Sequence, residues 1–178
     1  MPRPLELKAK DRKPPALGPE VRVLAAHLSP AADETGLANL IGRDGLRDWR
    51  KDGLLKQTNA PNTMWLGAAT PNQTLEFEFA EATPLSAIEV WNYNAEWGTA
   101  NGLRQADVSV SSDGVTWQTV LHGVDFAEAD GRPDYDQPIV LQLKGVTAKK
   151  VRFENMVSWG NAGKIGLSKV VFHRAGGL

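Results

Sequence analysis

The sequence contains no cysteine. That absence excludes disulfides, thiolate metal sites and cysteine nucleophiles, and it leaves the compartment open, since many bacterial secreted domains do without disulfides. No apolar run approaches the roughly 18–20 residues that a membrane-spanning helix needs. The opening stretch, MPRPLELKAKDRKPP, lacks the apolar centre of a secretion signal. An excess of one charge is missing too. Twenty Lys and Arg against twenty-one Asp and Glu give a net charge of −1, so there is no general field to attract phosphate backbones or anionic lipid. Neither nucleic-acid binding nor membrane insertion is expected.

Catalytic signatures are also lacking. His27, His122 and His173 stand far apart, and none belongs to a metal-binding pair such as H-x-x-x-H. No G-x-S-x-G occurs: Ser158 in VSWGN has Gly160 two residues after it but Met156, not glycine, two residues before it. GRDGLRDWRKDG has glycines but no G-K-[ST] and no strand immediately before it, so it is not a phosphate loop. Glu76 and Glu78, or Asp134 and Asp136, could in principle form an acid–base pair for glycoside cleavage. Alternation on a solvated strand face accounts better for the first pair. No catalytic residue is assigned, and the chain is read as a non-enzyme.

What is present is a chain of 178 residues, 42% of them hydrophobic, long enough to bury one sizeable core. Residues 1–20 are rich in Pro, Lys and Arg without periodicity, and are expected to form a flexible tail or linker dispensable for folding. Residues 21–174 read as one β domain, and 175–178 as a short C-terminal tail. TLEFEF at 74–79 alternates strictly, with Leu75, Phe77 and Phe79 on one face. Further strands are expected at 21–26, 85–93, 105–111 and 115–121, and in PIVLQL, KKVRFEN and LSKVVFH. The Asp-Gly pair of SDG suits a tight turn, making the two strands around it antiparallel neighbours. ADETGLANLIG could hold a helical turn or two. About eight short strands with loops rich in Gly, Asn, Pro and Asp predict an all-β fold, a jelly-roll β-sandwich.

Three loops combine Trp with Asn and Gly: TNAPNTMWLG, WNYNAEWGTANGLR and NMVSWGNAGKIG. Sugars are bound by this mixture, because pyranose C–H faces stack on indole while carboxamides, Arg and Glu bond adjacent hydroxyls. Trp65, Trp91 and Trp117 lie in or beside strands and are expected in the core. Trp97 and Trp159, flanked by glycine and polar residues, are expected to be exposed.

NTMWLG, LEFEF, IEVWNYN, GLRQADVSVSSDGVTWQTV and AKKVRFENMVSWGNAGKIGLSKVVF, in that order, resemble the discoidin or coagulation-factor C-type domain, and are similar above all to bacterial versions appended to polysaccharide-degrading enzymes. The resemblance implies a galactose-binding-like jelly roll whose loops at one end hold a glycan or, in animal relatives, a protein or phospholipid headgroup. It also implies a structural calcium ion, held by an early D-G loop and an acidic residue of the last strand. Here Lys169 stands at that last position and Gly42 where an Asp is frequent. Asp44 and Asp48 could supply oxygens, but an ammonium argues against a site needing six to eight oxygen ligands. No cofactor or metal is therefore expected, with the ammonium taking the place of the ion.

The sequence thus predicts a monomeric, non-catalytic carbohydrate-binding module that targets a larger secreted bacterial enzyme or surface protein, its covalently attached neighbour, to a glycan or polysaccharide. Its native setting is extracellular or periplasmic. Stacking is assigned to Trp97 and Trp159, and polar contacts to Asn94, Glu96, Asn101, Arg104 and Asn161. The alternatives are a protein-interaction or adhesion module on the same fold and a jelly-roll polysaccharide lyase or glycosidase.

Overall fold

The computed structural model describes residues 17–48, 51, 53–160 and 162–176. Among these, strand is the only extended regular structure, interrupted by short 3-10 turns at Leu37–Leu40, Pro61–Thr63 and Thr99–Asn101. The strands are β1 (Val23–Ser29), β2 (Leu46–Arg47), β3 (Lys56–Gln57), β4 (Trp65–Ala68), β5 (Thr74–Asn92), β6 (Leu103–Ser111), β7 (Gln118–Asp125), β8 (Ile139–Ser158) and β9 (Lys164–Arg174). β2 and β3 form a small separate ribbon.

The strands of the main sheet pair antiparallel, in the order β4-β9-β5-β8-β6-β7 with β1 on β5. The two strands expected at 74–79 and 85–93 are one continuous β5, and PIVLQL and KKVRFEN are halves of one β8. Register shifts between Glu78 and Thr83 and between Leu85 and Ala87 let these long strands bend from one layer of the sandwich into the other. The first half of β5 lies between β1 and β8, and its second half between β8 and β9. The hairpin expected at SDG is present. Asp113 Oδ1 accepts the backbone N–H groups of Val115 (2.8 Å) and Thr116 (2.7 Å), Gly114 takes φ +82°, and β6 and β7 pair as predicted.

The alternation of TLEFEF places Leu75, Phe77 and Phe79 in the core, while Glu76 and Glu78 sit opposite Arg152 and Lys150 on the outer face. The two layers meet through aromatic rings. Phe172 of β9 packs against Phe77 and Phe79 with ring centroids 5.2 and 5.0 Å apart, and Phe153 of β8 lies against Phe77 at 5.9 Å and Phe126 at 6.3 Å. Edge-to-face and tilted geometries of this kind add to what area burial alone contributes. Trp65 and Trp91 are core residues, as expected. Trp117 is not: it is half-buried on the outer face, with the Arg152 guanidinium 4.1 Å from its ring centroid. That position is stable because the cation covers a ring face that the core does not.

Residues 17–20, assigned from composition to a tail, lie against β9, where Arg174 N–H donates to Pro19 O (2.8 Å) and Glu20 bridges to His173. Residues 1–16 and the end of the C-terminal tail, 177–178, lie outside the described residues.

Phe172→Ala should lower the unfolding free energy by about 3–5 kcal/mol, since it removes the ring that joins the two layers and leaves a cavity. Urea denaturation measures this. A loss below about 1 kcal/mol would show that the layers are joined elsewhere.

Candidate functional site

WNYNAEWGTANG turns inside out over a few residues. Trp91 is buried at the end of β5, its Nε1–H donating to Glu89 Oε1 (2.8 Å) and its ring edge-on to Tyr135. Asn92 is fully buried. Its Oδ1 accepts the N–H groups of Tyr93 and Leu103 (both 2.9 Å), and its Nδ2 donates to the carbonyls of Leu103 and Ala127 (both 2.8 Å). Every hydrogen-bonding position of this carboxamide with a role in the turn is filled by backbone. Gly102 is required beside it, because a Cβ there would lie 2.7 Å from Asn92 Oδ1.

Asn94, expected to touch a ligand, does not reach solvent at all. Its Nδ2 donates to Thr58 O (3.0 Å) and Arg132 O (2.8 Å), and its Oδ1 accepts the Gly131 N–H (2.8 Å). It therefore ties loop 57–60, loop 93–102 and loop 127–137 together. The sequence expectation is corrected: Asn94 builds the base of the site rather than its surface. Gly131 completes the junction at φ +72°, where a Cβ would lie 3.2 Å from Glu96 O.

Above this base the chain emerges. Trp97 is 94% exposed, in a turn beside exposed Glu96. Asn101 is half-buried, and its Nδ2 would lie 3.2 Å from a Cβ at Gly98, so the side chain folds back over the Trp97 turn. The Trp159 loop docks alongside through backbone: Trp159 N–H donates to Gly102 O (3.1 Å) and Gly160 N–H to Ala100 O (2.7 Å). The Trp159 indole is 40% exposed, oriented by Nε1–H donating to Phe126 O (3.0 Å), with Arg104 Cζ 5.3 Å from its ring centroid. The structure thus brings Trp97, Glu96, Asn101, Trp159 and Arg104 to one end of the sandwich. Asn161 lies outside the described residues.

Loop 127–137 also belongs to this end, and its part was not foreseen. Glu128 accepts from Thr99 Oγ1 (2.8 Å), and Asn59 Nδ2 donates to Gly131 O (3.1 Å). The loop carries no tryptophan, the signal by which the others were found. Its D-G-R-P turn was the remaining clue.

Residues 46–170 match the F5/8 type C domain family over well more than half of the chain. The chain belongs to that family. No curated protein matches it. Among solved structures, a pectin-binding carbohydrate-binding module is similar at 14% identity and TM-score 0.58, covering 89% of this chain and 95% of that one. A truncated AlyQ with CBM32 and alginate lyase domains is similar at 17% identity and TM-score 0.57, over 89% of this chain. The chain spans 34% of that protein, about a third of its length. The family 32 module of Clostridium perfringens NanJ, solved with galactose, is similar at 14% identity and TM-score 0.57, over 83% of this chain and 91% of that one. At these identities the likeness shows the fold.

For an F5/8 type C domain the resemblance implied calcium, and the residues here do not fit it. Lys169 is fully buried, and its Nζ donates to Asn39 O (2.5 Å) and Thr63 O (3.1 Å), joining two of the 3-10 turns. Asn39 Nδ2 reinforces the junction by donating to Asn62 O and Met64 O. Carbonyls that a cation would need are thus already bonded to an ammonium, which has no lone pair to offer a metal. Asp48 Oδ2 accepts the Gly53 N–H (2.9 Å) and closes its own loop, while Asp44 is exposed. No group of three or more His, Cys, Asp or Glu among the described residues is placed to hold an ion. Burial lowers the Lys169 pKa to about 8, against the opposing pull of Asp44, so the ammonium is still the main form at pH 7.

Asn94→Ala should cost about 2–4 kcal/mol of stability by leaving the Gly131 N–H and two carbonyls without partners. Trp97→Ala and Glu96→Ala, both exposed, should stay within about 0.5 kcal/mol of the parent. Thermal or urea unfolding compares all three. A harmless Asn94→Ala would remove this residue from the base of the site.

Proposed function

We propose that the chain is a non-catalytic, monomeric carbohydrate-binding module, holding its glycan at the loop end on Trp97 and on the Trp159–Arg104 pair. Glu96 and Asn101 supply hydrogen bonds to sugar hydroxyls, with Asn161 a further donor on the sequence reading. The observation that carries this is Trp97: an indole left 94% in water, on a loop whose base is fixed by two buried carboxamides. A large ring kept exposed at a rigid position suits a flat apolar ligand face, and its polar neighbours suit hydroxyls. The polar surroundings favour a sugar over the broad apolar patch of an adhesion surface.

Support comes from the fold's company. Solved relatives include a pectin-binding module, a galactose complex and a module joined to an alginate lyase. On this reading the chain targets a secreted bacterial enzyme or surface protein, its covalent neighbour, to a polysaccharide outside the cell. One stacked ring and a few solvent-competing hydrogen bonds leave a modest affinity, raised by tethering or by repeated sites on the polymer. On this reading the module works without a metal, which is supported by the Lys169 ammonium bonding the Asn39 and Thr63 carbonyls.

Two experiments test this. Glycan-array screening followed by calorimetric titration should find a ligand whose binding weakens by about 1–3 kcal/mol in Trp97→Ala or Trp159→Ala. Unchanged affinity in both variants, or turnover of a polysaccharide panel, would overturn the proposal. For the metal, a chelator should leave Tm unchanged. An ion bound at 100 times its Kd would contribute about 2.7 kcal/mol, and its removal would lower Tm by several degrees.

A further inference from the structure

His173 lies on β9 with its imidazole almost fully buried, and both ring nitrogens face groups that can only accept. Nδ1 is 3.0 Å from Gly18 O, and Nε2 is 3.0 Å from Glu89 Oε2. A neutral imidazole has one N–H, so it satisfies one of these partners and leaves a lone pair against the other. Only the imidazolium donates to both. The two partners belong to different parts of the fold. Glu89 is in β5, where its other oxygen accepts the Trp91 Nε1–H. Gly18 is in the segment that enters the domain.

That segment, residues 17–21, is strapped along β9 and the adjacent β5 by a short series of bonds. Ser86 Oγ–H donates to Leu17 O (2.8 Å), Arg174 N–H to Pro19 O (2.8 Å) and Val21 N–H to Phe172 O (2.8 Å). Gly18 adopts φ +88°, and a Cβ there would collide with Arg174 O, so glycine is required for the strap to lie this close. Glu20 pairs with Arg43 of the loop after the 3-10 turn at Leu37–Leu40. Beneath the strap is a cleft of about 360 Å³ walled by residues 20–23, 41–43 and 170–172.

We propose that His173 is a pH-sensitive latch that fastens residues 17–21 to the C-terminal strand, closed when the ring is an imidazolium and loosened when it is neutral. The charged groups facing the ring are Glu89 from β5 and Glu20 from the strap itself, both acidic, with Arg43 engaged by Glu20. Deprotonation therefore removes a cation between two carboxylates and, at the same time, one of the two ring donors. The bond to Glu89 ties two strands of the sheet, whereas the bond to Gly18 ties a segment outside the named strands, so the strap is the part that yields.

The direction of the pH response is set by the partners. The Glu89 hydrogen bond, with the Gly18 carbonyl and the acidic charges, raises the His173 pKa above its ordinary 6.5, against the opposing effect of burial. The latch's contribution is complete below about pH 6.5, the unfolded value, and is lost as pH rises through the raised folded value. The strap is thus fastened on the acid side of that raised value and freed on its alkaline side. This inference does not depend on glycan binding.

Amide hydrogen exchange on the whole chain between pH 5.5 and 9, corrected for intrinsic rates, tests it at Val21 and Arg174, with Val151 and Phe153 as core references. Strap protection should fall as pH rises through the His173 midpoint, by no more than about tenfold per pH unit, while the core stays flat. NMR titration of the His173 ring should give a midpoint above 6.5. His173→Gln, whose single donor nitrogen cannot face both acceptors and does not titrate, should leave the strap weakly protected at every pH. If that variant fails to fold, the two wild-type measurements decide. Strap protection independent of pH, or a His173 midpoint at or below 6.5, would overturn the latch.

Discussion

Three loops at one end of this sandwich share a single buried side chain. Asn94 accepts from Gly131 and donates to Thr58 and Arg132, so loops distant in sequence are held at hydrogen-bond distance around a side chain with no solvent exposure. Backbone groups removed from solvent must find partners, and irregular loops have no ladder to provide them. A carboxamide, with donors and acceptor on one planar group, stands in for a piece of missing strand. Asn92 does the same two residues earlier for Leu103 and Ala127. With the bases fixed in this way, Trp97 can stand in water without the loop collapsing around it. The exposed indole of the proposed site depends on the two asparagines beneath it.

Buried charge is used in a similar way. Lys169 and His173 are buried basic side chains four residues apart on β9, and each is aimed at main-chain carbonyls of segments with little regular structure of their own. Lys169 gathers the turns at 37–40 and 61–63, and His173 holds the strap at 17–21. A buried charge is tolerated when its hydrogen bonds are complete. Here those bonds organise the irregular half of the molecule around a regular last strand. The two side chains respond to pH differently. Burial pulls the Lys169 pKa down to about 8, whereas the Glu89 hydrogen bond and its charge outweigh burial at His173 and push its pKa up.

Much of the β framework was legible in the sequence, because alternation in TLEFEF and the Asp-Gly turn of SDG are local signals of face and connection. The merging of strands into β5 and β8 was not, since Pro84 and Gly145 look like turn residues yet sit in bent, paired strand. β4 was hidden inside an aromatic loop: WLGA shows no alternation, and Gly67 is there because a Cβ would lie 2.7 Å from the Trp65 ring. Among site residues, Trp97 and Trp159 were marked by glycine and polar flanks. Asn94 was misread because a carboxamide has the same appearance in sequence whether it faces a sugar or a carbonyl. Trp117 was misread because the residue that covers it, Arg152, is a long-range partner across the sheet. Lys169 was singled out by the family resemblance of LSKVVF, but its carbonyl partners Asn39 and Thr63 are long-range and have no local signal.

The central claim is that the glycan meets the loop end at Trp97 and Trp159. The most direct measurement is an NMR titration of the assigned indole N–H signals of the six tryptophans with a binding oligosaccharide. Trp97 and Trp159 should shift together in a saturable way, while buried Trp65 and Trp91 and the sheet-face Trp117 stay in place. Shifts confined to Trp117, or none at Trp97 and Trp159 when binding is saturated, would contradict the account.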